Sequence, residues 1–239
     1  MADADPHADQ PILTAGADPE DADAAVVLVH GRGATARGML QFADEFGREG
    51  VHYVAPQAAR GTWYPNPFMA PRESNAPFYE SALAHLARAV ERARETTGLP
   101  AEKLLLTGFS QGACLLSSYA ALNPRRYGGV VLLSGGFVGP EGETFHFEGS
   151  FDGTPVMLGV SDDDPHIPVS RARRRWPSSN GWVPTFGSTC TRAAVTASSP
   201  RKWSSCEPSS AACSASNPRR SRPRSSRSAR RPRNYQHSK

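Results

Sequence analysis

The chain has 239 residues, 38% of them hydrophobic, and a formal charge of +4. That length can bury a real core, and no uninterrupted run approaches the roughly 20 apolar residues that span a membrane. The overall charge averages two opposite stretches: residues 1–170 hold 22 acidic and 11 basic side chains, whereas residues 171–239 hold 16 basic ones and a single acid, Glu207.

Residues 1–24 are rich in Ala, Asp and Pro and read as an acidic flexible lead-in or a short edge element. Met1–Pro6 has no basic, apolar signal segment, so a cytoplasmic protein is expected. Ala25–His30 is a buried-type strand that runs into Gly31-Arg32-Gly33. A helix is predicted over 36–48 with Met39, Leu40, Phe42 and Phe46 inward, then a strand over 51–55 stopped by Pro56. Arg60–Ala76, with three prolines and three aromatics, reads as an irregular surface loop. A long helix over 77–97 carries Phe78, Leu83, Leu86, Ala87 and Val90 at helical spacing and ends at Gly98-Leu99-Pro100. A strand over 103–108, a helix over 111–122, and strands over 129–134 and 155–160 complete the pattern. Short apolar strands separated by helices point to an α/β domain over 25–170, a mostly parallel sheet covered on both faces.

Gly108-Phe109-Ser110-Gln111-Gly112 sits between the strand over 103–108 and the helix over 111–122. In that context G-x-S-x-G is a nucleophile elbow. Gly108 and Gly112 let strand and helix approach around a strained corner, and the first helical N–H groups face any negative charge developing beside Ser110. In an open α/β sheet, polar residues beyond the strand C-termini converge on one edge. The loop after Val160 reaches that edge with Asp162, Asp163 and Asp164. Asp164, fixed by Pro165, is the candidate to orient a histidine, and the other two read as turn caps. At His30-Gly31-Arg32-Gly33 the backbone can curl beside Ser110, so that the Arg32 N–H joins the Gln111 N–H as an oxyanion hole. A phosphate-binding reading of the same G-x-G fails because Ala34-Thr35-Ala36 follow it. His30 reads chiefly as a packing residue. The aromatic loop with Trp63, Tyr64 and Phe68 is a candidate pocket, with His30 and His166 as further candidate lining; surface cover for the core is the competing reading of that loop. Cys114 reads as a small apolar residue, and Cys190, Cys206 and Cys213 lack metal-ligand partners, so neither a disulfide framework nor a metal site is expected.

These words resemble the phospholipase/carboxylesterase branch of the α/β-hydrolases, which includes the acyl-protein thioesterases. The resemblance rests on Leu28–Gly33, Gly108–Ala113, Val130–Gly136 and Asp164–Pro168, and covers about residues 20–170. It implies a three-layer α/β-hydrolase sandwich and a Ser–Asp–His hydrolase with Ser110 as nucleophile, Asp164 as triad acid, and Arg32 and Gln111 as oxyanion donors. It further implies small carboxylic esters or thioesters as substrates, no cofactor, and a homodimer in some members. The family's histidine follows the last strand in a Pro-Gly-x-Gly-His type turn. The chain has no such residue: His166 is too near Asp164 in sequence, and His237 lies in the basic segment, so no catalytic histidine is identifiable.

Residues 171–239 contain 16 serines and 7 prolines and almost no apolar periodicity, and read as disordered. A shift of reading frame explains them best. With Thr189–Thr196 written ACC TGT ACC CGG GCC GCG GTC ACG after a codon ending in C, the displaced frame reads H-L-Y-P-G-R-G-H, the missing turn and histidine. The stretch 176–189 yields M-A-V-F-E-R-L-G-A-D-V-R-V-H in the same frame, and 197–208 yields the amphipathic G-V-V-A-P-E-V-E-L-V-R-A. On this reading the C-terminal elements of the fold are missing or scrambled from about residue 171, and the literal chain is an impaired hydrolase. The alternative is a catalytically dead hydrolase scaffold whose basic tail binds nucleic acid or another polyanion, although no specific nucleic-acid fold is present.

Overall fold

The structure, a computed structural model, describes residues 5–45, 47–143, 147–161 and 164–168. The frame shift and the basic segment lie outside these residues, as do Phe46, Asp162 and Asp163. Six strands form one sheet in the order β1-β3-β2-β4-β5-β6. They are β1 (Ile12–Gly16), β2 (Ala24–Val29), β3 (Val51–Pro56), β4 (Leu104–Phe109), β5 (Gly129–Leu133) and β6 (Val156–Gly159). All neighbours pair in parallel except β1, which runs antiparallel along β3 with Ile12 opposite Pro56. Of the two readings of the N-terminal segment, residues 12–16 take the edge element, held there by a ladder that β3 leaves open on that side.

Helix α1 (Ala36–Asp44) starts at Thr35, whose hydroxyl accepts from the Gly38 N–H at 3.1 Å. It buries Ala36, Leu40 and Ala43, whereas Phe42 is 51% exposed. Leu40 and Met39 face the core as expected, whereas Phe42 does not: the buried stripe runs 36-40-43, and Phe42 stands two residues round from Leu40. Helices α2 (Phe78–Thr97) and α3 (Gln111–Leu122) pack against each other and against the opposite sheet face. Gly98 caps α2 in the left-handed conformation at φ 66°. Helix α3 is apolar nearly all round because it is buried nearly all round.

The core divides accordingly. One cluster joins α2 and α3 to the sheet, and a smaller one joins α1 to Leu28, Tyr53 and Ala55. On the face that α1 occupies, α1 packs over β1, β2 and β3. Farther along, Phe109 on β4 is 49% exposed and Met157 on β6 is 47% exposed.

Candidate active site

Ser110 joins β4 to α3 at φ 51° and ψ −119°, a conformation that a residue with a Cβ adopts only when its surroundings impose it. The imposition is visible. A Cβ on Gly108 would lie 2.8 Å from the Gly112 oxygen, and one on Gly112 would lie 2.3 Å from the His30 oxygen. The Ser110 N–H donates to the Leu133 oxygen at 2.8 Å, which ties the bend to β5. On the other side Gly31 closes in, with a position for Cβ only 3.4 Å from that of Ser110.

Ser110 opens onto a cavity of about 530 Å³ lined by Arg32, Tyr64, Phe68, Gln111, Cys114 and His166, among others. The Gln111 N–H is the first of α3 and has no intrahelical acceptor, and among the described residues neither it nor the Arg32 N–H meets a backbone carbonyl.

The predicted pocket residues separate into two groups. Tyr64, Phe68 and His166 line the cavity; His30 and Trp63 do not. His30 is fully buried, its Nδ1–H donating to the Gly31 oxygen at 2.8 Å and its Nε2 accepting from the Ala58 N–H at 3.0 Å. Burial pulls its pKa down and keeps the ring neutral, partly opposed by the Gly31 hydrogen bond. The Trp63 indole, also fully buried, donates to the His30 oxygen at 2.8 Å. The loop over 60–76 does both things expected of it: Trp63, Tyr64 and Phe68 pack into the main core cluster, and Tyr64 and Phe68 also form cavity wall.

Asp164 ends up capping its own turn. Its Oδ1 accepts from the N–H groups of His166 and Ile167, both at 2.9 Å, which presents those two residues to the cavity. Asp164 itself does not line the cavity.

Two side-chain roles escape the sequence. The Arg32 guanidinium donates to the carbonyls of Tyr64 at 2.8 Å, Pro65 at 3.0 Å and Asn66 at 3.1 Å. The Gln111 side chain accepts from the Trp63 N–H at 3.0 Å and donates to the Tyr64 oxygen at 2.7 Å. Neither follows a motif, because the acceptors are backbone carbonyls far away in sequence. Among the described residues no cluster of His, Cys, Asp and Glu could hold a metal ion, and no helix is long and apolar enough to cross a membrane.

The model of the phospholipase/carboxylesterase family matches residues 14–179. The chain belongs to that family. Acyl-protein thioesterase 1 of Saccharomyces cerevisiae is 27% identical over 165 residues, 60% of this chain and 71% of the yeast protein. The crystal structure of a phospholipase/carboxylesterase from Dyadobacter fermentans superposes with a TM-score of 0.65 at 40% identity, over 69% of this chain and 78% of that one. A carboxylesterase from Mesorhizobium loti shares the fold, with a TM-score of 0.53 at 20% identity over 71% of this chain and 78% of that one. This phospholipase/carboxylesterase family member is thus an α/β-hydrolase of the carboxylesterase and thioesterase type, with Ser110 at its elbow.

Proposed function

We propose that Ser110 is the nucleophile of a serine hydrolase that cleaves small carboxylic esters or thioesters, and that the 239-residue chain is impaired for want of a general base. The observation that carries the first half is Ser110 itself, at φ 51° on the wall of a cavity of about 530 Å³. In the intact cycle a histidine takes the Ser110 proton as Oγ attacks the carbonyl carbon, while Asp164 orients the ring. The N–H groups of Arg32 and Gln111 stabilise the tetrahedral oxyanion. Its collapse expels the alcohol or thiol, which leaves with that proton, and water then hydrolyses the acyl-enzyme. For Asp164 to serve, its carboxylate must reach the histidine while still holding its turn.

Two observations support a displaced frame as the origin of the missing base. The family match stops at residue 179, and the superposition on the Dyadobacter relative covers 78% of that chain. The sheet face beyond α1 leaves Phe109 and Met157 half exposed, where an amphipathic helix such as the displaced frame encodes would be stabilised by burying them. The second reading, a dead scaffold with a polyanion-binding tail, rests on the 16 basic residues beyond 170.

Sequencing the gene and expressing both forms tests these readings. The 239-residue chain should hydrolyse p-nitrophenyl butyrate at least about 10³-fold more slowly than a frame-restored chain, the scale of losing one triad member. Ser110→Ala should abolish the activity of the restored chain. An uninterrupted frame in verified DNA, with full esterase activity in the literal chain, would refute the impairment. Micromolar binding of labelled DNA at low salt, lost on deleting residues 171–239, would favour the second reading.

A further inference from the structure

Among the described residues of the N-terminal segment, His7 is the one fully buried charge-capable side chain, and it makes directed bonds to the loop that supplies the cavity wall. His7 is 0% exposed, although it comes from a short acidic stretch with no apolar pattern. Its N–H donates to the Ser81 hydroxyl on α2 at 2.9 Å, and its carbonyl accepts from Arg88 at 3.1 Å. Asp5 reinforces the same attachment by accepting from the Ser81 hydroxyl and standing 3.7 Å from the Arg88 guanidinium. The ring itself bonds to the segment between β3 and α2. Its Nδ1 accepts from the Ala59 N–H at 3.0 Å, which leaves the proton on Nε2 to donate to the Trp63 oxygen at 3.0 Å.

The two residues Trp63 and Tyr64 are therefore gripped from both ends. His7 holds the Trp63 carbonyl, while Gln111, the residue after Ser110, holds the Trp63 N–H at 3.0 Å and the Tyr64 carbonyl at 2.7 Å. We propose that His7 is a positioning residue: through the Trp63 carbonyl it sets the Tyr64 wall against Gln111 and so shapes the acyl cavity beside Ser110.

A histidine that merely filled space would need no such pair of hydrogen bonds to one loop. One bond satisfies the buried Trp63 carbonyl and the other the part-buried Ala59 N–H, and together they fix the ring's tautomer. The arrangement requires a neutral ring. The groups facing it are Asp5 on its own segment, Arg88 and His85 on α2, and His30 beyond Trp63. Burial is the main force lowering the His7 pKa, opposed by the Trp63 hydrogen bond and by Asp5 and aided by Arg88.

The proposal rests on reading the cavity as the acyl site, but its test uses no catalysis. The full chain contains five glutamines, so ¹⁵N labelling leaves five side-chain NH₂ pairs, and the pair lost in Gln111→Glu is that of Gln111. Two variants separate the two ring contacts. His7→Asn keeps an acceptor for Ala59 and loses the donor to Trp63; His7→Gln keeps that donor. The expected result is a shifted Gln111 pair exchanging with solvent on the order of tenfold faster in His7→Asn, with a near wild-type pair in His7→Gln. Ser81→Ala, which unpins the His7 backbone without touching the ring, should move the Gln111 pair in the same direction. It supplies the answer if either ring variant fails to fold. An unmoved Gln111 pair in the folded variants, or equal movement in His7→Asn and His7→Gln, overturns the proposal and leaves His7 as core filling.

Discussion

Gly112 has its Cα pressed against the end of β2, so that a Cβ there would lie 2.3 Å from the oxygen of His30 and 2.4 Å from that of Val29. Helix propensity alone would favour Gly112→Ala by about 1 kcal/mol. The clash decides otherwise, because both neighbours are backbone and neither can swing away. Gly112→Ala should destabilise the chain by about 1–3 kcal/mol, seen as a lower urea midpoint with unchanged slope. A midpoint at or above wild type would mean that β2 and α3 are less tightly apposed than described.

Acid should loosen this fold through its buried histidines. Burial first, then Arg88 and His7, push His85 down to about 4, and burial also lowers His7 and His30. Unfolded histidines titrate near 6.5, so below that pH the unfolded chain takes up protons that the native state refuses. Stability is then full above about pH 6.5 and falls as pH drops towards 4. For His85 alone the loss is about 2 kcal/mol between pH 7 and 5. Urea midpoints should therefore fall between those pH values, and less steeply in His85→Gln. Identical slopes in the two proteins would remove His85 from the account.

Arg32 is bound to its loop by shape as much as by charge. A lysine ammonium cannot span the carbonyls of Tyr64, Pro65 and Asn66 that the guanidinium fork engages at 2.8–3.1 Å. Arg32→Lys should therefore speed proteolytic cutting within residues 64–70 almost as much as Arg32→Ala does, with little change in global unfolding. Full protection in Arg32→Lys would show that charge suffices.

Trp63→Phe keeps most of the volume and removes the indole N–H that donates to the His30 oxygen at 2.8 Å. That buried carbonyl loses a partner, so a cost of about 1–3 kcal/mol is expected by urea unfolding. A near-neutral result would indicate that another donor reaches the His30 oxygen.

What the sequence determined by itself was local: apolar runs of strand length, the two glycines around Ser110, and the periodicity of α2 each write their conformation into adjacent residues. That was enough for the parallel sheet, the elbow and the family. On α1 the size of Phe42 misleads: Leu40 and Met39 face the core, but the spacing of the small residues Ala36 and Ala43 completes the buried stripe and leaves Phe42 outside it. The wall of the cavity was decided only by tertiary structure. Trp63 and Tyr64 face inward because Gln111, Arg32 and His7 supply donors and acceptors to their backbone from positions 48, 32 and 56 residues away in sequence. Backbone acceptors are the same at every residue, so such partnerships leave no signature in residue type. Only the fold, by bringing those groups within hydrogen-bond distance where water is excluded, makes them specific.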